Sequence, residues 1–304
     1  MSEVTPKRDT IKDGVKTAAI LLIGNEILSG KIKDENAFYL SQRLRQLGVS
    51  LEKISVVPDQ RTVIAEEVQM MSQRFDHVFT SGGVGPTHDD ITLESIAYAF
   101  DEVLVLDEDL HQLLKGYFKE RLNDAHLRMA HIPSQSELIW YKEAKWPVYS
   151  YQNIYILPGV PQIFKAKFEA IAERFRAGAF FLRSVYLNTG EGAIAECLRR
   201  IEDRFDVCVG SYPNVQGHYG FNVRVTIESR EAEQVNQAVN ALVKELTDKV
   251  DNGELKVYSS QHKRRGKGRN RSRKSRHRRV KKDLSLIASI DPPVFAVSTA
   301  PDHP

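Results

Sequence analysis

The chain has 304 residues, enough for about two domains, and its ordinary apolar content can fill a sizeable core. Its net charge of +3 hides a division: residues 263–304 hold thirteen Lys and Arg against three Asp, a net of +10, which leaves −7 for residues 1–262. An acidic body argues against a uniform nucleic-acid-binding surface, and no apolar run reaches the ~18 residues that would span a bilayer.

The opening "MSEVTPKRDTIKDGVKT" is polar and has no signal-peptide core, so a cytoplasmic protein is expected, with no membrane contact. "TAAILLI", 17–23, reads as a buried strand that ends at Gly24. "NAFYLSQRLRQLG", 36–48, reads as a helix with Phe38, Leu40, Leu44 and Leu47 near helical spacing and Gly48 as its stop. "LEKISVVP", 51–58, is a second strand, and "RTVIAEEVQMMSQRF", 61–75, a helix with Ile64, Val68 and Met71 on one stripe. "DHVFTSGG", 76–83, is a third strand, and "TLESIAYAF", 92–100, a helix that Thr92 is placed to cap. An amphipathic helix near 109–122 and strand-like pieces around Trp140 and Trp146 follow. "QNIYILPGVP", 152–161, is again a strand that runs into a turn, with a helix over 162–175. Strands alternating with helices predict a parallel sheet covered on both faces.

After Gly178 the pattern becomes β-α-β-β-α, the order of a small α+β domain. The expected domains are 16–178, 179–258 and a basic, disordered tail over 259–304, low in apolar residues until "LSLIASI". Cys197 and Cys208 lack metal-ligand spacing and read as packing residues in a reducing compartment.

In an open α/β sheet, ligands bind beyond the carboxyl ends of the strands. Three special turns fall at such ends: "GNEILSGKIKDEN", "SGGVGPTHDD" and "LPGVP". Gly82, Gly83 and Gly85 would let backbone N–H groups close on phosphate oxygens; the plainer reading is a glycine turn. Adjacent Asp89 and Asp90 suit a hard cation held by one or two carboxylates plus substrate phosphates; the plainer reading is a favourable charge at a helix start. Asp90 is the first candidate ligand, with Asp89 and Glu26 next. Glu26 can orient water, bind metal or simply be exposed. Asp34 and Asn36 can contact ligand hydroxyls or cap the following helix, and the cap is favoured. His88 is left out as an exposed loop histidine. Tyr212 and Tyr219 can stack on a ring or staple a hairpin. Dinucleotide-fold, P-loop, serine-hydrolase and zinc patterns are absent from the sequence.

"GNEILSGKIKDENAFYL", "TSGGVGPTHDDIT" and "LPGVP" resemble the molybdopterin-binding-like domain of molybdopterin adenylyltransferases, of the competence-damage-inducible protein A family and of the N-terminal half of eukaryotic FAD synthase. "SVVPD", "NIYILPGVP" and "GSYPN…YGFNVRVTIES" resemble the FAD synthase form most, across about residues 16–258. The resemblance implies a three-layer α/β/α domain and a small KH-like α+β domain. It implies a metal-dependent pyrophosphatase acting on FAD, giving FMN and AMP, or on an ADP-ribose-like compound. Mg²⁺, Mn²⁺ or Co²⁺, together with potassium, would be the cofactors. By resemblance, Gly82, Gly83, Gly85, Thr87, Asp89 and Asp90 form the phosphate and metal loop, Gly24, Asn25 and Glu26 the opposing turn, and Pro158, Gly159 and Pro161 the third wall. Homo-oligomers occur in the wider family, so one is expected here. Gln162 stands where the family often has an acid, which would remove one metal or water contact. No segment after residue 258 resembles the FMN-adenylylating domain of FAD synthase. Two other readings stay open: a molybdopterin-binding and adenylylating protein, and a non-catalytic regulatory half of FAD synthase. The run "KRRGKGRNRSRKSRHRRVKK", 263–282, has no aromatic for stacking, so it would hold nucleic acid non-specifically, serve nuclear import, or do neither.

Overall fold

Seven consecutive buried residues form β1 (Thr17–Ile23). A strand can be apolar on both faces only where both are covered. The computed structural model describes residues 15–141, 146–214, 220–257, 286–291 and 294–295, and the chain divides into two units between Gly178 and Ala179. In the first unit β1 is followed by α1 (Asn25–Leu28), α2 (Asn36–Gln46), β2 (Ser50–Val57), α3 (Arg61–Arg74), β3 (His77–Ser81) and α4 (Thr92–Ala99). Then come β4 (Leu104–Leu106), α5 (Glu108–Phe118), α6 (Asp124–Arg128), β5 (His131–Pro133), β6 (Glu137–Ile139), β7 (Val148–Tyr151), β8 (Ile154–Leu157) and α7 (Pro161–Ile171).

The main sheet runs β2-β1-β3-β8-β7-β6, parallel from β2 to β8 and antiparallel beyond. Alternation along β1 shows its two faces. Ala19, Leu21 and Ile23 pack with Ile64, Val68 and Met71 of α3 and Ile96 of α4. Ala18, Ile20 and Leu22 pack with Leu40 and Leu44 of α2 and Phe164 and Phe168 of α7. This is the three-layer α/β/α arrangement expected, with a mixed rather than wholly parallel sheet.

The chain leaves β1 toward β2 on one side and returns to β3 on the other, so the switch point of the sheet lies between β1 and β3. The turns after β1, β3 and β8 open there together.

Two local expectations change. Phe38 is 68% exposed, because Ala37, Leu40 and Leu44 already form the buried stripe of α2. Thr92 is the first residue of α4 and not its cap; its buried hydroxyl donates instead to the Gly82 carbonyl, at 2.9 Å.

The second unit holds β9 (Phe181–Leu187), α8 (Glu191–Arg204), β10 (Cys208–Pro213), β11 (Val223–Ser229), α9 (Ala232–Asp251), β12 (Ile287–Ile290) and β13 (Val294–Phe295). Its antiparallel sheet runs β10-β11-β9-β12, and β13 also pairs with β9. Val185, Val225 and Ile227 of the sheet pack with Ile194 and Ile201 of α8 and Val239 and Leu242 of α9. The expected α+β domain is therefore present, but it does not end at residue 258. β12 and β13 arise from the stretch assigned to a disordered tail. Leu286 sits in this core, and Ile287–Ile290 cover an edge strand that would otherwise be open. The basic run over 263–282 lies outside the described residues. Cys197 is buried as expected, whereas Cys208 is exposed on β10.

Candidate functional site

β3 ends at Ser81, where the chain must turn between two neighbouring strands. A Cβ at Gly82 (φ 108°) would stand 2.3 Å from the Ile23 carbonyl oxygen, and one at Gly83 (φ 66°) 2.3 Å from Thr92 Oγ1. Only glycine fits either place. The turn is held from several sides. The Gly82 N–H donates to the Leu157 carbonyl at 3.1 Å, and the Thr92 N–H to the Gly83 carbonyl at 2.9 Å. The Asn36 amide donates to Ser81 Oγ at 2.9 Å and to the Gly159 carbonyl at 2.8 Å, which ties the starts of the turns after β3 and β8 to α2. Arg128 donates to the carbonyls of Pro86 and Thr87 at 2.9 and 3.1 Å. Among the described residues the N–H groups of Gly83, Val84 and Gly85 have no acceptor.

A cavity of about 650 Å³ opens beside this turn, within the size range of small-molecule sites. Glu26, Gly82, Gly83, Gly85, Asp90, Pro158 and Gly159 line it, all of them expected from the sequence. Gly24, Asn25, Thr87 and Asp89 do not. The Gly24 N–H donates to the Val57 carbonyl at 3.2 Å, and the Glu26 carboxylate packs over Gly24. The Asn25 N–H donates to Asp59 Oδ2 at 2.9 Å. Thr87 binds back to the acids: its N–H reaches Asp90 Oδ2 at 2.8 Å, and its hydroxyl is shared between Asp89 and Asp90. The Asp89 side chain is 55% exposed. The Thr87 hydroxyl, with Asp89's own N–H, holds its carboxyl below the usual range. Asp34, one residue before the N-cap Glu35, accepts from the N–H groups of Asn36 and Ala37 at 3.0–3.3 Å and so caps α2 as favoured from the sequence, whereas Asn36 is the first helical residue and its side chain caps nothing. His88 and Gln162 are exposed. Tyr212 is exposed beneath the Arg224 guanidinium, and Tyr219 lies outside the described residues.

The acids of the lining, Glu26, Asp34, Glu35 and Asp90, outnumber its cations, Lys33 and Lys167. Among the described residues no three of His, Cys, Asp and Glu gather as a ready-made cage. Asp90 and Glu26 are hard-oxygen donors, the type that a cation held by one or two carboxylates takes.

The side of the cavity toward β7 is different. Tyr141, Trp146, Tyr149 and Ile163 form apolar walls there, with Lys167 among them. Lys167 is only 9% exposed. Its ammonium donates to the carbonyls of Trp146, at 3.4 Å, and Pro147, and lies 5.6 Å from the centre of the Tyr149 ring. Burial pushes its pKa down to about 8. The sequence reading passed over this lysine. Its signal was there: Phe164, Lys167, Phe168 and Ile171 follow the i, i+3, i+4, i+7 spacing of a buried helix stripe.

Residues 19–177 match the probable molybdopterin binding domain, and residues 179–253 match the FAD synthase middle domain. The chain belongs to the molybdopterin-binding-domain family. A protein of Archaeoglobus fulgidus is 36% identical over 231 residues, 76% of this chain and 98% of its own. A probable FAD synthase of Caenorhabditis briggsae is 32% identical over 260 residues, 76% of this chain and 49% of its own, so the chain spans about half the length of that relative. The crystal structure of the protein CinA with unknown function from Thermoplasma acidophilum is 30% identical, covers 53% of this chain and 99% of its own, and superposes with a TM-score of 0.49. Every residue that lines the cavity falls within the molybdopterin-binding domain. Among the described residues no helix is long and apolar enough to cross a membrane.

Proposed function

We propose that this chain hydrolyses the diphosphate of FAD, or of a related ADP-containing dinucleotide, to two monophosphates. One observation carries the reading: the unengaged amides of Gly83, Val84 and Gly85 meet the carboxylates of Glu26 and Asp90 at a cavity whose other walls are apolar and aromatic. The amides would donate to the phosphate oxygens and to the charge that grows on them during reaction. Asp90, assisted by Glu26, would hold Mg²⁺, Mn²⁺ or Co²⁺, which supplies charge neutralisation and a more acidic bound water. Glu26 would orient the water. Water would add to one phosphorus and lose its proton to solvent, the bridging P–O bond would break with its electron pair on the departing phosphate, and FMN and AMP would leave. Similarity to probable FAD synthases supports a flavin nucleotide as substrate.

The test is AMP release from FAD, ADP-ribose and NADH by purified protein across these metals, with and without potassium, with Asp90→Ala as control. No AMP from any of them would sink the reading. The family description favours one alternative, molybdopterin binding. Micromolar binding of molybdopterin, with pyrophosphate released from Mg-ATP, would put that reading first.

A further inference from the structure

The ammonium of Lys167 has no assigned work in diphosphate hydrolysis, yet it is buried in the cavity wall. A helical side chain leans toward the N-terminus of its helix, which for α7 is the end beside the turn after β8. Its hydrogen bonds within the described residues go to two carbonyls, those of Trp146 and Pro147. An ammonium carries three donors, so one remains for a ligand. Among the described residues no carboxylate offsets the charge, and desolvation alone perturbs it. A buried cation without a counter-ion is costly. That cost is understandable where a ligand brings the missing acceptor. The neighbouring walls, Tyr141, Trp146 and Tyr149, suit a flat ring.

We propose that Lys167 is a specificity-determining residue that donates to the carbonyl edge of a flavin ring, so that FAD enters this side of the cavity by its flavin and not by its adenine. The assignment rests on the FAD reading above and adds the orientation of the substrate. The chemistry discriminates between the two rings. The dione edge of flavin presents carbonyl oxygens, which an all-donor ammonium can satisfy. Adenine offers a ring nitrogen as acceptor beside a donor amino group, so at that edge the ammonium meets one acceptor and one opposed donor, against two carbonyl oxygens on the flavin edge.

Riboflavin binding, read by quenching of its fluorescence, and ADP-ribose binding, read by calorimetry, are to be compared in the parent protein and in Lys167→Met. Loss of a hydrogen bond to a charged group should weaken riboflavin about tenfold or more, with ADP-ribose changed less than about twofold. Retained ADP-ribose binding also shows that the variant is folded. Equal losses, an unchanged riboflavin affinity, or no riboflavin binding by the parent would each overturn the assignment. Should Lys167→Met not fold, the parent alone decides: riboflavin must bind more tightly than adenosine, and an equal or reversed preference overturns the proposal. None of these readouts involves hydrolysis, so absent AMP release would remove the hydrolase reading and leave the ring assignment to be judged by itself.

Discussion

Asp90 lines the cavity, while its neighbour Asp89 turns to solvent and to the Thr87 hydroxyl. Their exchange for asparagine should therefore differ in effect. Asp90→Asn should lower kcat for AMP release from FAD by about 10²–10³, the scale of losing one group that stabilises developing charge. Asp89→Asn should stay within about threefold, as expected for an exposed acid. Steady-state rates at saturating metal check this, and equal losses would mean that both acids serve the bound cation. The sequence showed the pair but could not divide it, because Thr87 and the distant Arg128 fix the loop that aims each side chain. Lys167 permits a second test at this scale. Burial lowers its pKa from 10.5 to about 8, so between those values the unfolded chain binds more protons and stability rises with pH. Below pH 8 the folded state carries the full cost of the charge, about 3 kcal/mol. Tyr149, raised to about 12 by burial and by Asp107, stays neutral across this window. Urea unfolding at pH 7.5 and 10 should show the parent gaining stability relative to Lys167→Met by up to that amount. A pH-independent difference would show that the ammonium is solvated.

At the scale of the element, backbone contact fixes the start of the turn after β3, and the side chains of Asn36, Thr92 and Arg128 hold it in place. Gly82→Ala would drive a Cβ against the Ile23 carbonyl of the adjacent strand at a φ that alanine rarely adopts. It should cost about 2–4 kcal/mol. Gly30 also has a positive φ, 68°, but nothing lies within 4 Å of its added Cβ, so Gly30→Ala should cost only about 1 kcal/mol. Denaturant midpoints of the two variants test this, and equal costs would mean that φ alone decides. The alternating elements around this turn were readable because runs such as "TAAILLI" and "RTVIAEEVQMM" are long enough to show a period. The three-residue strands β4, β5 and β6 are too short to show one. Thr92 misled as a cap because it already lies inside the helix, with its hydroxyl donating to the Gly82 carbonyl, a contact that no local pattern announces.

For the whole molecule, the placement of three turns beyond strand ends was legible, since strand order and crossover rules bring such turns together. The extent of the second unit was not. β12 pairs with β9 across about a hundred residues, Ile287 opposite Leu187 and Ile290 opposite Val185, and a pairing so distant leaves no local signal. The Tyr186 hydroxyl also donates to Asp291 Oδ2 at 2.6 Å. Truncation after Tyr258 would remove these strands, empty the place of buried Leu286 and open the β9 edge. The cavity, lined by residues between Ile23 and Lys167, loses none of its own parts. The truncated protein should therefore release AMP from FAD at nearly the parental rate. Its second unit should unfold at a lower temperature and self-associate more readily, seen by calorimetry and light scattering. Truncation also removes the thirteen Lys and Arg of residues 263–282. Any binding of RNA or DNA should vanish with them, and in the full chain it should fall steeply with added salt. A truncated protein as stable as its parent would mean that β12 and β13 add nothing to the sheet. One that keeps nucleic-acid binding would move that surface onto the acidic body.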